Sequence, residues 1–286
     1  MGLGSIKYSG KKFNVQEILG HVRLEINHMD IGEITELKGL DKLNHITALD
    51  LSNNKISELT GLDDLKNLQQ LFLNNNQIKV IEGLESLTQL DRIFLNGNQI
   101  LELKGLDNQT NLQWLEINKN KITELKGLDS LTNLIKLSLH DNQIKEIKNL
   151  EALTNLQALL LNRNQISEIK NLGTLINLHL LFLDHNEITE IKGLDELKNL
   201  INLNLNNNKL TEIKGLETLE NLETLYLDTN QISSLHNLES LEKLEKLNLL
   251  FLGFNPIKGE EEQFKRDIMG VENIKKLIES YKKWRE

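Results

Sequence analysis

The stretch Leu68-Gln69-Gln70-Leu71-Phe72-Leu73-Asn74-Asn75-Asn76-Gln77-Ile78-Lys79-Val80-Ile81-Glu82-Gly83-Leu84-Glu85-Ser86-Leu87-Thr88-Gln89-Leu90 holds two periods side by side. Leu71 and Leu73 are separated by one residue, a spacing that points both side chains to one side of an extended strand. Ile78, Ile81, Leu84, Leu87 and Leu90 recur every third residue. That period suits extended or 3₁₀-like turns better than a long α-helix. Asn76 stands where the first pattern gives way to the second.

Working outward, the same pattern returns at a fixed interval. Asn54, Asn76, Asn98, Asn120, Asn142, Asn164, Asn186, Asn208 and Asn230 follow one another in steps of 22 residues. A further unit ends at Asn255, 25 residues on, with the extra residues in the Leu-Glu-Lys duplication of Leu241 to Lys246. A degenerate unit is expected ahead of the series, with Gly32 at the Asn position and Met29 in place of a leucine. A single short strand cannot bury its apolar face. Stacked copies can, so the repeat predicts a solenoid with parallel strands about 4.8 Å apart.

Two columns explain how the chain turns. Seven residues after each asparagine stand Gly61, Gly83, Gly105, Gly127, Asn149, Asn171, Gly193, Gly215 and Asn237, with Gly39 ahead of them. Only Gly and Asn occur, the two residues that accept a left-handed backbone cheaply, so a corner of positive φ is predicted there. The Asn54-to-Asn255 column answers a different need. A bend after each strand leaves backbone N–H and C=O groups inside the coil, and a side-chain amide can satisfy both kinds.

On these residues the chain resembles the 22-residue class of leucine-rich repeat proteins over roughly residues 33–257. The likeness extends to the leucine-rich repeat regulatory subunit of protein phosphatase 1, through Asn255-Pro256-Ile257 and the following Phe264-Lys265-Arg266. The Leu-Pro and Leu-Asp that come next in that group are absent here. Listerial internalins share the repeat length. The resemblance implies an α/β solenoid: one curved domain with a parallel concave β-sheet, a convex side of 3₁₀ and irregular turns, and helical terminal caps. It also implies a protein partner on the concave face, contacted by aromatic and acidic residues in strand positions. Phe72, Phe94, Trp114, Glu116, Phe182 and Tyr226 are the residues that match.

Terminal units of a solenoid expose core and need caps. Residues 1–32 are assigned to an N-terminal cap and the degenerate repeat, 33–257 to the array and 258–286 to a C-terminal cap. Asn14-Val15-Gln16-Glu17 has capping-box spacing, which predicts a helix starting at Asn14 and stopping at Gly20. Ile274, Leu277, Ile278, Tyr281 and Trp284 follow helical spacing, so residues 260–284 are expected to be helical with a break near Gly270.

Composition narrows the function. A net charge of −9 argues against a nucleic-acid partner, which draws affinity from clustered Lys and Arg. The chain lacks cysteine, so disulfides, Cys-bound zinc and thiol catalysis are excluded. No apolar run reaches the ~20 residues that span a bilayer, and no secretory signal pattern is seen. His140, His179 and His185 occupy unlike repeat positions and form no ligand motif. The glycines are corner residues rather than a phosphate loop, and no Ser stands in a hydrolase elbow. The expectation is a cytoplasmic, monomeric, non-enzymatic protein without metal or cofactor and without a membrane or nucleic-acid partner.

Two surfaces differ in character. Glu102, Glu124, Glu146, Glu168, Glu190 and Glu212 stand two residues before Lys104, Lys126, Lys148, Lys170, Lys192 and Lys214. Such paired columns neutralise themselves on a solvated face. The residues between the strand leucines point away from the core, because the pleat alternates. The five aromatics between residues 46 and 245, Phe72, Phe94, Trp114, Phe182 and Tyr226, all fall there and none at a leucine position. An exposed apolar stripe marks an interaction site, and aromatics with Arg are the usual anchors. The candidate protein-binding residues are Asp50, Phe72, Arg92, Phe94, Trp114, Glu116, Lys136, Leu160, Leu180, Phe182, Tyr226 and Phe251. Three readings fit: a scaffold or regulatory subunit binding a protein on this face, an internalin-like surface adhesin, or a structural repeat without a dedicated ligand. In the last, the aromatics serve only as cross-strand ladders.

Overall fold

The computed structural model describes residues 3–235, 238–257 and 268–285. The chain forms two compact units, Met1–Asn142 and Gln143–Glu286. Both are turns of a parallel-sheet β-solenoid with little helix.

In the first unit, two hairpins precede the repeats. Strands β1 (Ser5–Tyr8) and β2 (Lys11–Asn14) pair antiparallel, as do β3 (Gln16–Ile18) and β4 (His21–Glu25). Parallel strands β5 (Ala48–Asp50), β6 (Gln70–Phe72), β7 (Arg92–Phe94), β8 (Trp114–Glu116) and β9 (Lys136–Ser138) follow, each paired with the next. The second unit continues with parallel strands β10 (Ala158–Leu160), β11 (Leu180–Phe182), β12 (Asn202–Asn204), β13 (Thr224–Tyr226) and β14 (Leu249–Phe251). It closes with β15 (Ile268–Met269), antiparallel to β14, and helix α1 (Val271–Arg285).

The packing follows the two periods. Leu71 and Leu73, then Ile78, Ile81, Leu84 and Leu87, are all fully buried. The return segment is a chain of i→i+3 turns: Leu87 N–H donates to Leu84 O at 2.9 Å and Leu90 N–H to Leu87 O at 3.2 Å. Each buried leucine is thus both a core residue and a 3₁₀ turn point, which is why the sequence repeats every three.

Asn76 shows what the asparagine column does. Its Nδ2 donates to Leu73 O at 3.1 Å and to Leu51 O of the preceding turn at 3.0 Å, and its Oδ1 accepts the N–H of Ile56 at 3.0 Å. The predicted corners are left-handed: φ is 96° at Gly105, 58° at Asn149 and 60° at Asn171. Asn237 lies outside the described residues. A second left-handed column was not foreseen. It runs just before the asparagines and holds Asn53, Asn75, Lys119, Asp141, Arg163 and Thr229 at φ of 54–58°.

The N-terminal cap differs from expectation. Asn14 ends strand β2 rather than capping a helix, and Gly20 with Leu19 makes a turn of positive φ between β3 and β4. Ile6 and Val15 are buried while their neighbours are exposed, the alternation of a strand. The degenerate unit is shifted too. Leu24 pairs with Leu49, an interval of 25, so Met29 rather than Gly32 takes the Asn position, and its N–H donates to Asn54 Oδ1 at 2.9 Å.

At the other end, helix α1 starts after Gly270, where φ is 93°. Ile274, Leu277 and Ile278 are buried at 3–4% exposure. Two residues expected to be helical, Ile268 and Met269, instead add a strand to the sheet. Residues 260–267, including Phe264-Lys265-Arg266, lie outside the described residues, as do the side chains of Tyr281 and Trp284.

Candidate functional site

The face of the sheet opposite the leucine core carries two side-chain columns. In the first unit the register aligns Arg23, Ala48, Gln70, Arg92, Trp114 and Lys136 in one column, and Glu25, Asp50, Phe72, Phe94, Glu116 and Ser138 in the other. Phe72 and Phe94 stack with ring centroids 4.7 Å apart and planes within 1°. Arg23 lies over Phe72 at 4.8 Å. Trp114 has Arg92 at 4.6 Å and Lys136 at 5.2 Å from its ring centre. All three aromatics are half-buried, so each keeps open surface.

The charges are mostly paired. Arg23 meets Asp50 at 2.8 Å and Glu25 at 2.7 Å, and Lys136 meets Glu116 at 2.7 Å. Asp50, expected on the open face, is only 8% exposed; it also accepts the N–H of Ser52 at 3.0 Å. Its role is structural. Ala48, Gln70 and Ser138 are likewise buried, as far as their neighbours cover them. Arg92 is the contrast: its nearest carboxylate, Asp91, is 3.8 Å away. Asp91 Oδ1 is buried without a hydrogen bond, and burial pushes its carboxyl above the usual range, opposed by Arg92 and His21.

In the second unit the columns are Ala158, Leu180, Asn202, Thr224 and Leu249, and Leu160, Phe182, Asn204, Tyr226 and Phe251. Tyr226 and Phe251 stack at 4.7 Å and 9°. Leu160, Leu180 and Phe182 are half-buried on the same face. The extra residues between Leu241 and Leu247 do not disturb this register, because they fall in the return segment.

Sequence reasoning missed Arg23, because β4 had not been read as a strand of this sheet. It also missed a ladder at the strand ends. Asn118 Oδ1 accepts the N–H of His140 at 2.9 Å, and Asn96 Oδ1 accepts that of Asn118 at 2.8 Å. The signal was present as polar residues two before each asparagine: Asn74, Asn96, Asn118, Asn206 and Asp228.

On the return side the Glu and Lys columns do pair. Lys192 meets Glu190 at 2.6 Å and Glu168 at 3.7 Å, and Lys214 meets Glu212 at 2.6 Å. Hydrogen bonds from Lys170 to Glu168 and from Lys192 to Glu190 lower those carboxyls, and the partner carboxylates raise the ammonium groups of Lys192 and Lys214. Among the described residues no group of three or more His, Cys, Asp or Glu could hold a metal. No described helix is long and apolar enough to cross a membrane.

Two sequence families match the chain. One, described as "Leucine-rich repeat", covers residues 159–285. The other, "Leucine Rich repeats (2 copies)", covers residues 66–108 and 110–152. No curated protein sequence matches at a significant level. Among solved structures, the chain is similar to an internalin (inlF) of Listeria monocytogenes, with 26% identity over 85% of this chain and 84% of that one and a TM-score of 0.65. It is similar to internalin C2 of the same organism, at 31% identity over 66% of this chain and 80% of that one, with a TM-score of 0.58. A chain of the octameric complex of Latrophilin 3, Unc5D and FLRT2 shares the fold: TM-score 0.71, 23% identity, 82% of this chain and 74% of that one.

Proposed function

Since the chain belongs to the leucine-rich repeat proteins, whose fold commonly mediates protein–protein interaction, we propose that it is a non-enzymatic scaffold that binds a protein partner on the open face of its sheet. One observation carries the reading. Every aromatic between residues 46 and 245 stands on that face and none fills the core. Half-buried rings that keep open surface are the residues from which interface hot spots are built. We place the primary contact in the first unit, at Phe72, Phe94, Trp114, Arg92, Lys136 and Glu116. Leu160, Leu180, Phe182, Tyr226 and Phe251 form a second patch within the second unit.

A regulatory role in the cytoplasm, as a monomer acting on a phosphatase catalytic subunit, is the first form of this proposal, and the repeat class and the aromatic and acidic strand residues support it. An internalin-like adhesin is the second form. The 26% and 31% identity to two internalins favours it. Both use the same face and differ in where the protein works.

The test is a triple Phe72→Ala, Phe94→Ala, Trp114→Ala variant, compared with wild type for melting temperature and for proteins retained from source lysate. The reading expects a folded variant that loses a partner the wild type retains. A folded variant that keeps every partner overturns it. Where the triple variant unfolds, Trp114→Ala alone, outside the stacked Phe pair, gives the same comparison.

A further inference from the structure

Three cations stand in one column of the first unit, and two of them are tightly paired. Arg23 and Lys136 each hold a carboxylate within 2.8 Å. Arg92 lies between them in a longer ion pair: Asp91 is 3.8 Å away, beyond hydrogen-bond range, and no described residue accepts a hydrogen bond from its guanidinium. Arg92 is also the most open of the three, with 41% of its side chain exposed against 23% and 30%. It is not loose. The Trp114 ring supports it at 4.6 Å, so its planar fork is already oriented before any partner arrives.

Phe94 lies two residues along the same strand and therefore on the same face. A guanidinium without a hydrogen-bonded acceptor thus stands next to the paired rings of Phe72 and Phe94. Charge complementarity at that point calls for an anion of carboxylate geometry, which a guanidinium binds with two parallel hydrogen bonds. The neighbouring rings call for a bulky apolar group. We infer that the occupant of this face is an acidic segment of a protein partner, with an Asp or Glu carboxylate on Arg92 and an adjacent apolar or aromatic side chain on the Phe72–Phe94 pair. The inference rests on the open-face reading above and gives its partner a chemistry.

Asp91 does not take the place of that carboxylate. It lies beyond hydrogen-bond range of the guanidinium, and one of its oxygens is buried without a donor. Exposed salt bridges contribute little to stability, so the arrangement is better suited to partner choice than to holding the fold.

The experiment pans a random dodecapeptide display library against the full chain, against Arg92→Gln and against the triple Ala variant. Wild type is expected to enrich Asp or Glu next to an aromatic or aliphatic residue. Arg92→Gln is expected to lose the acidic preference and keep the apolar one. A synthetic peptide of the enriched sequence should bind Arg92→Gln about tenfold or more weakly, as removal of a charged anchor does, and Arg92→Lys in between. Enriched peptides without acidic residues, or equal affinity for Arg92→Gln, overturn the inference while leaving the open-face reading intact. Peptides that bind the triple Ala variant as well as wild type overturn both. A library that yields no binder to the wild type also counts against the inference.

Discussion

The side-chain oxygen of Asn118 accepts the backbone N–H of His140, one strand away, at 2.9 Å, and also the hydroxyl of Ser138 at 2.7 Å. Two residues on, Asn120 turns inward and donates to Leu95 O at 3.0 Å. The coils at Asn74, Asn96, Asn118 and Asn206 are therefore closed by two amide systems, one at the strand end and one inside the bend. Strand alternation alone points Asn118 outward with Glu116, yet it is only 6% exposed, covered by its hydrogen-bond partners.

Asparagines of both systems should therefore matter, Asn142 in the bend column and Asn118 at the strand end. Asn142→Ala strands the N–H of Ile122 and the carbonyls of Ile117 and Leu139, and each buried unpaired group costs about 1–3 kcal/mol. Asn118→Ala should also cost on the order of 1–2 kcal/mol, since it leaves the His140 N–H without its acceptor. Urea unfolding of the two variants measures this. A neutral Asn118→Ala would contradict the ladder.

The corner glycines are not equivalent. A Cβ on Gly105 would be driven into the carbonyl oxygen of Ile81, and one on Gly127 into that of Leu103, whereas one on Gly39 meets nothing within 4 Å. Gly39→Asn should be close to neutral, because Asn already occupies the corners at 149 and 171. Gly105→Ala should destabilise by roughly 2 kcal/mol or more, from left-handed strain and backbone crowding together. Thermal melts of the pair decide it, and equal losses would sink the argument. Asn171 escapes the clash at a lower φ of 60° and donates to Ile147 O at 2.7 Å.

Much of the fold was legible because the repeat displays its own physics. Leu71 and Leu73 declare a strand, Ile78 to Leu90 a series of three-residue turns, and Asn76 the bend between them. What was not legible depended on neighbours in space. Asn14 to Glu17 spells a helix start locally, yet Val15 is buried and the segment is ordered by hairpin partners. Asp50 alternates outward like Phe72, yet Arg23 from a strand the spacing did not reveal covers it. The aromatic columns, by contrast, followed from strand alternation alone.

The carboxyl of Asp91 provides a pH signature. Burial raises it above 3.8, its usual value, so the folded state holds the proton more tightly than the unfolded chain. That contribution to stability is present below pH 3.8 and is lost as pH rises from there through the raised value. Asp91→Asn should thus be more stable than wild type at neutral pH, with the gap closing below the unfolded pKa. Urea midpoints across pH 3 to 7 give the comparison (about that range is accessible). A gap that widens on acidification would refute the sign.

The C-terminal segment should behave as a cap. Gly270 N–H donates to Asn248 O at 2.7 Å, β15 covers the edge of β14, and Ile274, Leu277 and Ile278 are buried. Residues 268–286 removed together would bare that edge and the last leucines. Aggregation or a drop in melting temperature of several degrees is expected, on the scale of about 1–3 kcal/mol for a lost buried side chain. An unchanged, soluble truncation would make the segment a tail.

The central claim is that a protein partner sits on the open face of the first unit. A photo-crosslinking residue placed at position 94 tests it most directly, with the same residue at position 104 on the Glu–Lys side as the control. Irradiation of both variants with source lysate should give a discrete covalent adduct from position 94 and none from position 104. An adduct from 104, or from neither position, would contradict the account.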